Sequence, residues 1–438
     1  MIVPSRRWLL GALLAGAIAV GAVWWPAAAV AWVTASVLWV LMLAVDGYRV
    51  NRFDASRLSL IRTAAGALSL GRPLPVRYHW HSPRSARLWV RESAPPEIGL
   101  PDGSDRIIDL RADRDWIEER RLDPRARGRA RRWRFDIRVA GPWGLCWRQL
   151  VLRPDWEITV YPALRNAALA QLPTQSRIRR EVGLRQVRRI GEGRLFESLR
   201  EWVPGDEMRA VDWKASAKRG KLIARQYEAE RRQRVMIALD AGRMLTAETE
   251  GRPRLEDAVE AVAQLAYRAV GLDDDVGLIV FSDDIDHFVP PVRGRRALRA
   301  ILDALALVEG RLVESDYPRA FAFLAAQARK RALTVLFTDV IDRFASDALV
   351  HQLGGLRPRH VPVAVTLRDL ALERLAVASA STVESAFERA AAEQLLLVRN
   401  DALADLRSRG VIVVDAHPEA AAKAVVDCYV GLKRRALI

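Results

Sequence analysis

Residues 235–241 read VMIALDA, a short and nearly continuous apolar run that ends with an aspartate and an alanine. Four more apolar runs of similar length follow along the chain, each bounded by polar, Gly or Pro residues. A strand that is buried on both faces has this composition, as in a parallel sheet covered by helices. The later runs are VGLIVFS at 276–282, LTVLFTDV at 333–340, PVAVTL at 362–367 and GVIVVDA at 410–416.

Segments with apolar residues at helical spacing lie between these runs, at Leu255–Val270, Arg296–Leu307 and Tyr317–Ala332. The alternation predicts an α/β domain over residues 234–438, a doubly wound parallel sheet with helices on both faces. Ligands of such sheets bind at the carboxyl ends of the strands. Asp240 and Asp339 lie at two of these ends and are the candidate site residues of the domain.

Upstream, residues 56–165 contain short segments rich in β-forming residues, separated by Pro, Gly and Asp. Because no long helical pattern interrupts them, we predict a small β-rich, sandwich-like domain. Residues 166–233 form a basic connector that carries the most distinctive stretch of the chain. The β-rich segments include RLSLIR at 57–62, PVRYHWH at 75–81 and RWRFDIRV at 132–139.

The N-terminus contains two uncharged apolar stretches, residues 8–25 and 27–45, separated by Pro26. Each approaches the roughly 20 residues that cross a bilayer as a helix, so we predict a transmembrane helical hairpin over residues 1–48. Arginines before the first stretch and after the second place both ends in the cytoplasm. A cleaved signal peptide ending at the alanines 27–29 and a buried soluble hairpin remain the alternatives.

The formal net charge of +16 is unevenly distributed. Residues 235–438 carry 26 basic and 29 acidic residues, so the positive excess lies nearer the N-terminus. An anionic membrane surface is the expected partner of this basic region, since each nearby Lys or Arg is attracted by about 1 kcal/mol. No specific nucleic acid is expected. A polyanion binder, for nucleic acid or anionic lipid, acting through the Arg-rich residues 177–234, remains the alternative function.

The distinctive stretch is FESLREWVPGDEMRAVDWKASAKRGKL, residues 196–222, which we call the signature. Its Pro-Gly-Asp sequence has the residue order of a type II turn. The charges around its two tryptophans suit either an internal clamp between domains or a docking face for a partner protein. The candidate residues are Trp202, Pro204, Gly205, Asp206, Arg209, Asp212, Trp213 and Lys214.

The signature resembles that of the bacterial "domain of unknown function 58" family. The likeness extends to Arg127-Gly128, to Gly141-Pro142-Trp143-Gly144-Leu145 and to Val160-Tyr161-Pro162. The resemblance implies a multi-pass protein of the bacterial inner membrane with a von Willebrand factor A-like domain in the cytoplasm. It also implies a MoxR-type AAA+ ATPase as partner, in a chaperone-like or envelope-related process. The expected function is therefore that of a non-enzymatic adaptor.

In von Willebrand factor A domains, the crevice holds a metal-ion-dependent adhesion site with an Asp-x-Ser-x-Ser loop. Here the loop reads Asp240-Ala241-Gly242-Arg243-Met244, so two hydroxyl ligands are replaced. Asp339 fits the later aspartate of the pattern, and the threonine position falls near Ser315 or Asp316. We expect a degenerate site without a cofactor, in which Arg243 neutralises the carboxylates. Binding of Mg²⁺ by Asp240 and Asp339 is the competing hypothesis.

Several motifs of catalysis are missing from the sequence. It contains no GxxxxGK[ST] phosphate loop, GxSxG elbow, HExxH pair or CxxC motif. The two cysteines also exclude a disulfide scaffold. These absences predict a protein that is not an enzyme, against the minor hypothesis of a cryptic active site at Asp240, Asp339 and Asp342.

Overall fold

The structure is a computed structural model in which the chain divides into two compact units, Met1–Arg165 (unit 1) and Asn166–Ile438 (unit 2). It describes residues 2–22, 26–64, 66–163, 190–203, 208, 211–228, 233–249, 251–327, 330–339, 343–357 and 359–435.

Unit 1 begins with strand β1 (Ile2–Pro4) and helices α1 (Arg6–Ala22) and α2 (Pro26–Asn51). The two helices pack closely, because a Cβ atom at Gly11 would lie 2.1 Å from the Trp39 ring. Within the described residues, the segment Ala29–Asn51 of α2 is the one helix long and apolar enough to cross a membrane. Its side chains are mostly exposed, so it is not the core helix of a soluble domain.

The rest of unit 1 is a β-sandwich. A five-stranded antiparallel sheet, with strand order β1-β11-β10-β5-β7, and a four-stranded sheet, β2-β4-β8-β6, share one core with a small third sheet, β3-β12-β9. The strands are β2 (Ser59–Ala64), β3 (Leu68–Ser69), β4 (Leu74–His81), β5 (Ala86–Ser93), β6 (Ile98–Gly99), β7 (Asp105–Leu110), β8 (Trp116–Pro124), β9 (Gly128–Ala130), β10 (Arg134–Ala140), β11 (Cys146–Leu152) and β12 (Ile158–Tyr161).

Alternation along the strands decides which side chains fill this core. In β5, Leu88 and Val90 are fully buried, whereas Trp89 lies on the opposite face of the sheet. Trp80 and Phe135 meet edge to face inside the sandwich, with ring centroids 5.8 Å apart. The outer face of the five-stranded sheet therefore carries polar and aromatic residues, together with exposed Ile107 and Val151.

A buried carboxylate joins helix α2 to the sandwich. Asp46 is completely buried and accepts hydrogen bonds from the backbone N–H groups of Trp143, Leu145 and Cys146, at 2.8–2.9 Å. Gly141 must be a glycine here, because a Cβ atom would lie 2.3 Å from this carboxylate. The turn formed by residues 141–145 thus receives the end of the apolar helix.

The described part of unit 2 begins with a hairpin and a short helix that include much of the signature. Strands β13 (Ile190–Glu201) and β14 (Ile223–Glu228) pair antiparallel, and helix α3 (Trp213–Arg219) precedes β14. The backbone N–H of Asp212 donates to the carbonyl of Ile223 at 2.8 Å, which ties the start of the helix to the hairpin.

The remainder of unit 2 is a six-stranded mixed sheet with strand order β19-β18-β15-β20-β21-β22. All neighbours are parallel except the edge strand β19, which is antiparallel to β18. The strands of unit 2 after the hairpin, including the small β16–β17 pair, are β15 (Arg234–Asp240), β16 (Glu248–Thr249), β17 (Arg252–Pro253), β18 (Asp275–Phe281), β19 (Ile285–Val292), β20 (Leu333–Phe337), β21 (Val361–Leu367) and β22 (Ile412–Ala416).

The described helices of this part alternate with the strands, as the apolar periodicity predicts. They are α4 (Arg243–Thr246), α5 (Arg254–Gly271), α6 (Gly294–Leu307), α7 (Tyr317–Gln327), α8 (Arg343–Gly355), α9 (Leu370–Val377), α10 (Val383–Ser408) and α11 (Pro418–Arg434).

The order of the sheet creates a crevice between β15 and β20. After β15 the chain continues to β18 on one side of the crevice, whereas after β20 it continues to β21 on the other side. Such a reversal of strand order is the topological switch point where α/β sheets bind ligands. This mixed α/β sheet with one antiparallel edge confirms the von Willebrand factor A-like fold predicted for the domain.

Candidate functional site

Asp240 ends β15 at the floor of the crevice and is completely buried. One carboxylate oxygen accepts hydrogen bonds from the Gly242 backbone N–H at 2.8 Å and the Ser315 hydroxyl at 2.5 Å. The other accepts from the Tyr317 hydroxyl at 2.8 Å and the Thr338 hydroxyl at 2.7 Å. Each oxygen therefore has two donors from the protein itself.

Tyr317 is suited to this role because its hydroxyl stays protonated. Burial, together with the negative charge of Asp240, raises the pKa of Tyr317 well above its usual value. Its ring packs edge to face on Phe281, with centroids 5.8 Å apart. The phenol is thus a fixed neutral donor to the carboxylate.

Asp339, two residues after the end of β20, is neutralised by two arginines. Its side chain forms an ion pair with Arg254, and both side chains are fully buried. Arg399 lies 3.7 Å away from Asp339 and forms a closer ion pair with Asp415, at 2.6 Å. Arg254 and Arg399 also both donate to the carbonyl oxygen of Leu367. Guanidinium groups therefore occupy the electrostatic role that a cation would have.

These residues do not fit a Mg²⁺ ion, which needs free oxygen ligands in near-octahedral geometry. The oxygens of Asp240 already accept four hydrogen bonds, and Asp339 faces Arg254. A serine at position 242 has no room, since its Cβ would lie 2.1 Å from the Ser315 hydroxyl oxygen. Over the described ranges, no group of three His, Cys, Asp or Glu residues is arranged to hold a metal.

Arg243 does not have the role expected from the sequence. It pairs with Glu314 at 2.8 Å, and both side chains are substantially exposed. The buried neutralising arginine is Arg254, the first residue of α5, which a local motif does not reveal. Of the two candidates for the threonine position, Ser315 contacts Asp240, whereas Asp316 accepts from the backbone N–H of Arg319. Asp342 lies outside the described residues.

In the signature, Asp212 has a local structural role. Its carboxylate caps α3 by accepting from the Ala215 backbone N–H at 3.0 Å. The buried Ser216 hydroxyl donates to the Asp212 carbonyl at 2.7 Å and accepts from the Ile223 N–H at 2.8 Å. Gly220 ends the helix in the left-handed conformation, with φ of 68°. The short helix is therefore fixed at both ends.

Trp213, the first residue of this helix, is 62% exposed, and Lys214 beside it is also exposed. Trp202 is half-buried. Pro204, Gly205, Asp206 and Arg209 lie outside the described residues, as does much of the Arg-rich segment 177–234. We call the following exposed set the signature surface: Val203, Met208, Trp213, Lys214 and Leu222.

The fold defines a von Willebrand factor A-like domain, and the described carboxylates of its crevice are engaged by hydroxyl and guanidinium groups of the protein. Residues 198–400 match the family described as "Protein of unknown function DUF58", which confirms the resemblance carried by the signature. Uncharacterized proteins of Mycobacterium tuberculosis and Mycobacterium bovis are 24% identical to the chain over 181 residues, 41% of its length. The chain spans about half (54%) of the length of these relatives.

Solved structures that are similar to part of the chain include a VWA domain and a matrix protein. The SpRpn10 VWA domain is 12% identical, with a TM-score of 0.29, over 44% of this chain and 93% of that domain. Proximal thread matrix protein 1 from mussel byssus is 11% identical, with a TM-score of 0.25, over 45% of this chain and 44% of that chain. The assignment of the fold rests on the strand order of unit 2 and not on these scores.

Proposed function

We propose that the protein is a membrane-anchored, non-catalytic adaptor that binds a partner protein through the signature surface. The observation that carries this proposal is the 62% exposure of Trp213 on a helix that is capped at both ends. An exposed tryptophan on a rigid element loses little conformational freedom on binding and buries a large apolar area. Val203, Met208 and Leu222 of the same segment are further exposed apolar residues, and Lys214 supplies charge.

The crevice supports a non-catalytic function. A catalytic carboxylate or a metal ligand needs an oxygen that substrate or metal can reach. Asp240 and Asp339 are buried and engaged with hydroxyl and guanidinium groups of the protein. We therefore assign both carboxylates to holding the switch-point loops in place.

For the membrane anchor, we propose that α1 and α2 cross the bacterial inner membrane as a hairpin. The close contact at Gly11 and Trp39 gives the two helices one interface, and their other apolar side chains are largely exposed. Arg6, Arg7 and Arg49 lie at the same end of the antiparallel pair. By the positive-inside rule this end, with the rest of the chain, faces the cytoplasm.

We propose a MoxR-type AAA+ ATPase as the partner, on the resemblance of the signature to its family. In this scheme the ATPase supplies the energy of ATP hydrolysis, while the adaptor supplies the membrane location and the docking surface. The process would be chaperone-like or envelope-related.

The test is affinity purification of the tagged full-length chain from native membranes, followed by identification of the co-purifying proteins. We expect an AAA+ ATPase with the wild type and a loss of at least about tenfold with Trp213→Ala/Lys214→Glu, since a tryptophan hot spot contributes about 2 kcal/mol or more. The matched control is Trp116→Ala/Lys423→Glu, which removes an exposed tryptophan and an exposed lysine elsewhere.

The outcome separates the competing functions. Equal recovery of the ATPase by both double variants would remove the docking role of the signature surface and leave the clamp interpretation. Recovery of nucleic acid in place of an ATPase would support the polyanion alternative through residues 177–234. Thermal unfolding of both variants at the wild-type temperature serves as the control for folding.

A further inference from the structure

A large open groove in unit 1 lies where the start of α1 and the end of α2 contact the sandwich. Its volume is about 1160 Å³. The residues that line it come from the N-terminal segment, the end of α2, the five-stranded sheet and the loops that contain Arg84 and Gly141. The charged residues among them are Arg6, Arg7, Arg49, Arg84, Arg87 and Arg138, with Asp109 as the single carboxylate among the described residues of the lining.

The sheet register explains how the arginines come together. Arg138 of β10 lies opposite Trp89 of β5, and Arg87 of β5 lies opposite Asp109 of β7. Since alternate residues of a strand share a face, Arg87, Trp89 and Arg138 all point away from the apolar core. The guanidinium of Arg138 lies over the Trp89 ring, 4.9 Å from its centroid.

The single carboxylate does not neutralise the groove. Asp109 forms an ion pair with Arg87 at 2.6 Å, which leaves five further arginines in the lining. Guanidinium groups that converge on a concave surface favour an anion with several oxygens, because each can donate two hydrogen bonds to a phosphate. The groove is thus built for an anionic, oxygen-rich ligand.

The position of the groove in the molecule indicates where its anionic ligand comes from. Arg6 begins α1 and Arg49 lies in the last turn of α2, so both are at the end of the apolar helices. The three backbone hydrogen bonds to buried Asp46 hold this end of α2 against the sandwich. The groove therefore lies beside the ends of the apolar helices. A tryptophan at this level suits the interface between acyl chains and water.

We propose that this groove binds the headgroup of an anionic phospholipid, with Arg138 on the sheet and Arg6 and Arg49 at the helix ends contacting its phosphate. The inference rests on the membrane attachment in the proposed function and is independent of the ATPase partner. Trp89 forms the apolar floor beneath the headgroup. A bound lipid then sets the orientation of the sandwich against the membrane surface.

The test is native mass spectrometry of the full-length chain in detergent, titrated with phosphatidylglycerol or with phosphatidylcholine of the same acyl chains. We expect one phosphatidylglycerol retained per chain and about tenfold weaker retention of phosphatidylcholine. Arg49→Gln/Arg138→Gln should weaken retention of phosphatidylglycerol at least about tenfold, because each arginine contributes a factor of about five. The control Arg72→Gln/Arg153→Gln removes the same charge from exposed positions outside the groove and should change it less than about threefold.

Three results would overturn the proposal. They are equal retention of the two lipids, an equal loss in the two double variants, and displacement of the lipid by millimolar inorganic phosphate, which would make the ligand a soluble anion. Failure of the membrane attachment is detected separately, because the wild-type chain would then be absent from the membrane fraction of the cells.

Discussion

The substitution Arg254→Ala tests whether a guanidinium group replaces a metal ion in the crevice. Arg254 and Asp339 are both fully buried and form an ion pair. Removal of one partner of a buried pair leaves the other charge without compensation, at about 3–5 kcal/mol. Since Arg399 still lies 3.7 Å from Asp339, we expect the lower part of this range, about 3 kcal/mol.

The assay is urea unfolding of the full-length protein in detergent, followed by circular dichroism, with a thermal scan beside it. A loss of about 3 kcal/mol corresponds to roughly 6–12 °C in the melting temperature of a domain of this size. The matched control is Arg243→Ala, which removes an arginine from the same crevice. Because Arg243 and Glu314 are 41% and 77% exposed, the control should cost only about 0–1 kcal/mol.

Equal, small losses for the two variants would refute the argument that Arg254 carries the neutralising charge. A second refuting result concerns the metal itself. If millimolar Mg²⁺ raised the melting temperature of the wild-type protein and Asp240→Ala abolished the rise, the crevice would hold a cation in spite of its arginines.

Three more expectations follow from single contacts. Gly242→Ser restores a hydroxyl of the adhesion-site pattern, yet it should destabilise the protein by about 1–3 kcal/mol, because its Cβ would collide with the Ser315 hydroxyl. The variant should also show no response to Mg²⁺, and a stabilised, Mg²⁺-responsive variant in the thermal scan would contradict this. Asp46→Asn leaves one acceptor where the carboxylate has two, so unfolding midpoints should show a loss of about 2 kcal/mol, against none for the exposed Asp113→Asn. Burial, and next the charge of Arg359, lower the pKa of His360 below 6.5, so its contribution to stability is complete above pH 6.5 and is lost as the pH falls below that value. His360→Gln should therefore flatten the decline of the urea midpoint between about pH 7 and 5, and an unchanged slope would count against it.

Local patterns were sufficient for the parallel strands of unit 2. VMIALDA, LTVLFTDV and the related runs are apolar enough to be strands buried on both faces, and the structure has them as β15, β18, β20, β21 and β22. The edge strand β19 was not predicted, because Pro290 and Pro291 argue against a strand in the sequence. An edge position tolerates the two prolines, since one side of an edge strand has no neighbouring strand to which its backbone N–H groups must donate.

The candidate site was predicted only in part. The positions of Asp240 and Asp339 follow from the rule that loops at the carboxyl ends of parallel strands carry the site. Their partners Tyr317, Arg254 and Arg399 are distant in sequence and sit in helices whose patterns look ordinary. The sequence suggested Arg243 as the neutralising residue because it is adjacent in the loop, whereas packing directs that side chain outward to Glu314.

The sequence by itself determined the apolar N-terminal helices, the α/β class of residues 234–438 and the family signature, because composition and periodicity are local properties. Only the tertiary structure decided that Arg254 pairs with Asp339 in the crevice, that buried Asp46 bonds α2 to the sandwich, and that six arginines line one groove. These depend on which side chains meet across a sheet or between helices. Burial and charge pairing depend on both of the segments in contact, so neither segment alone reveals them.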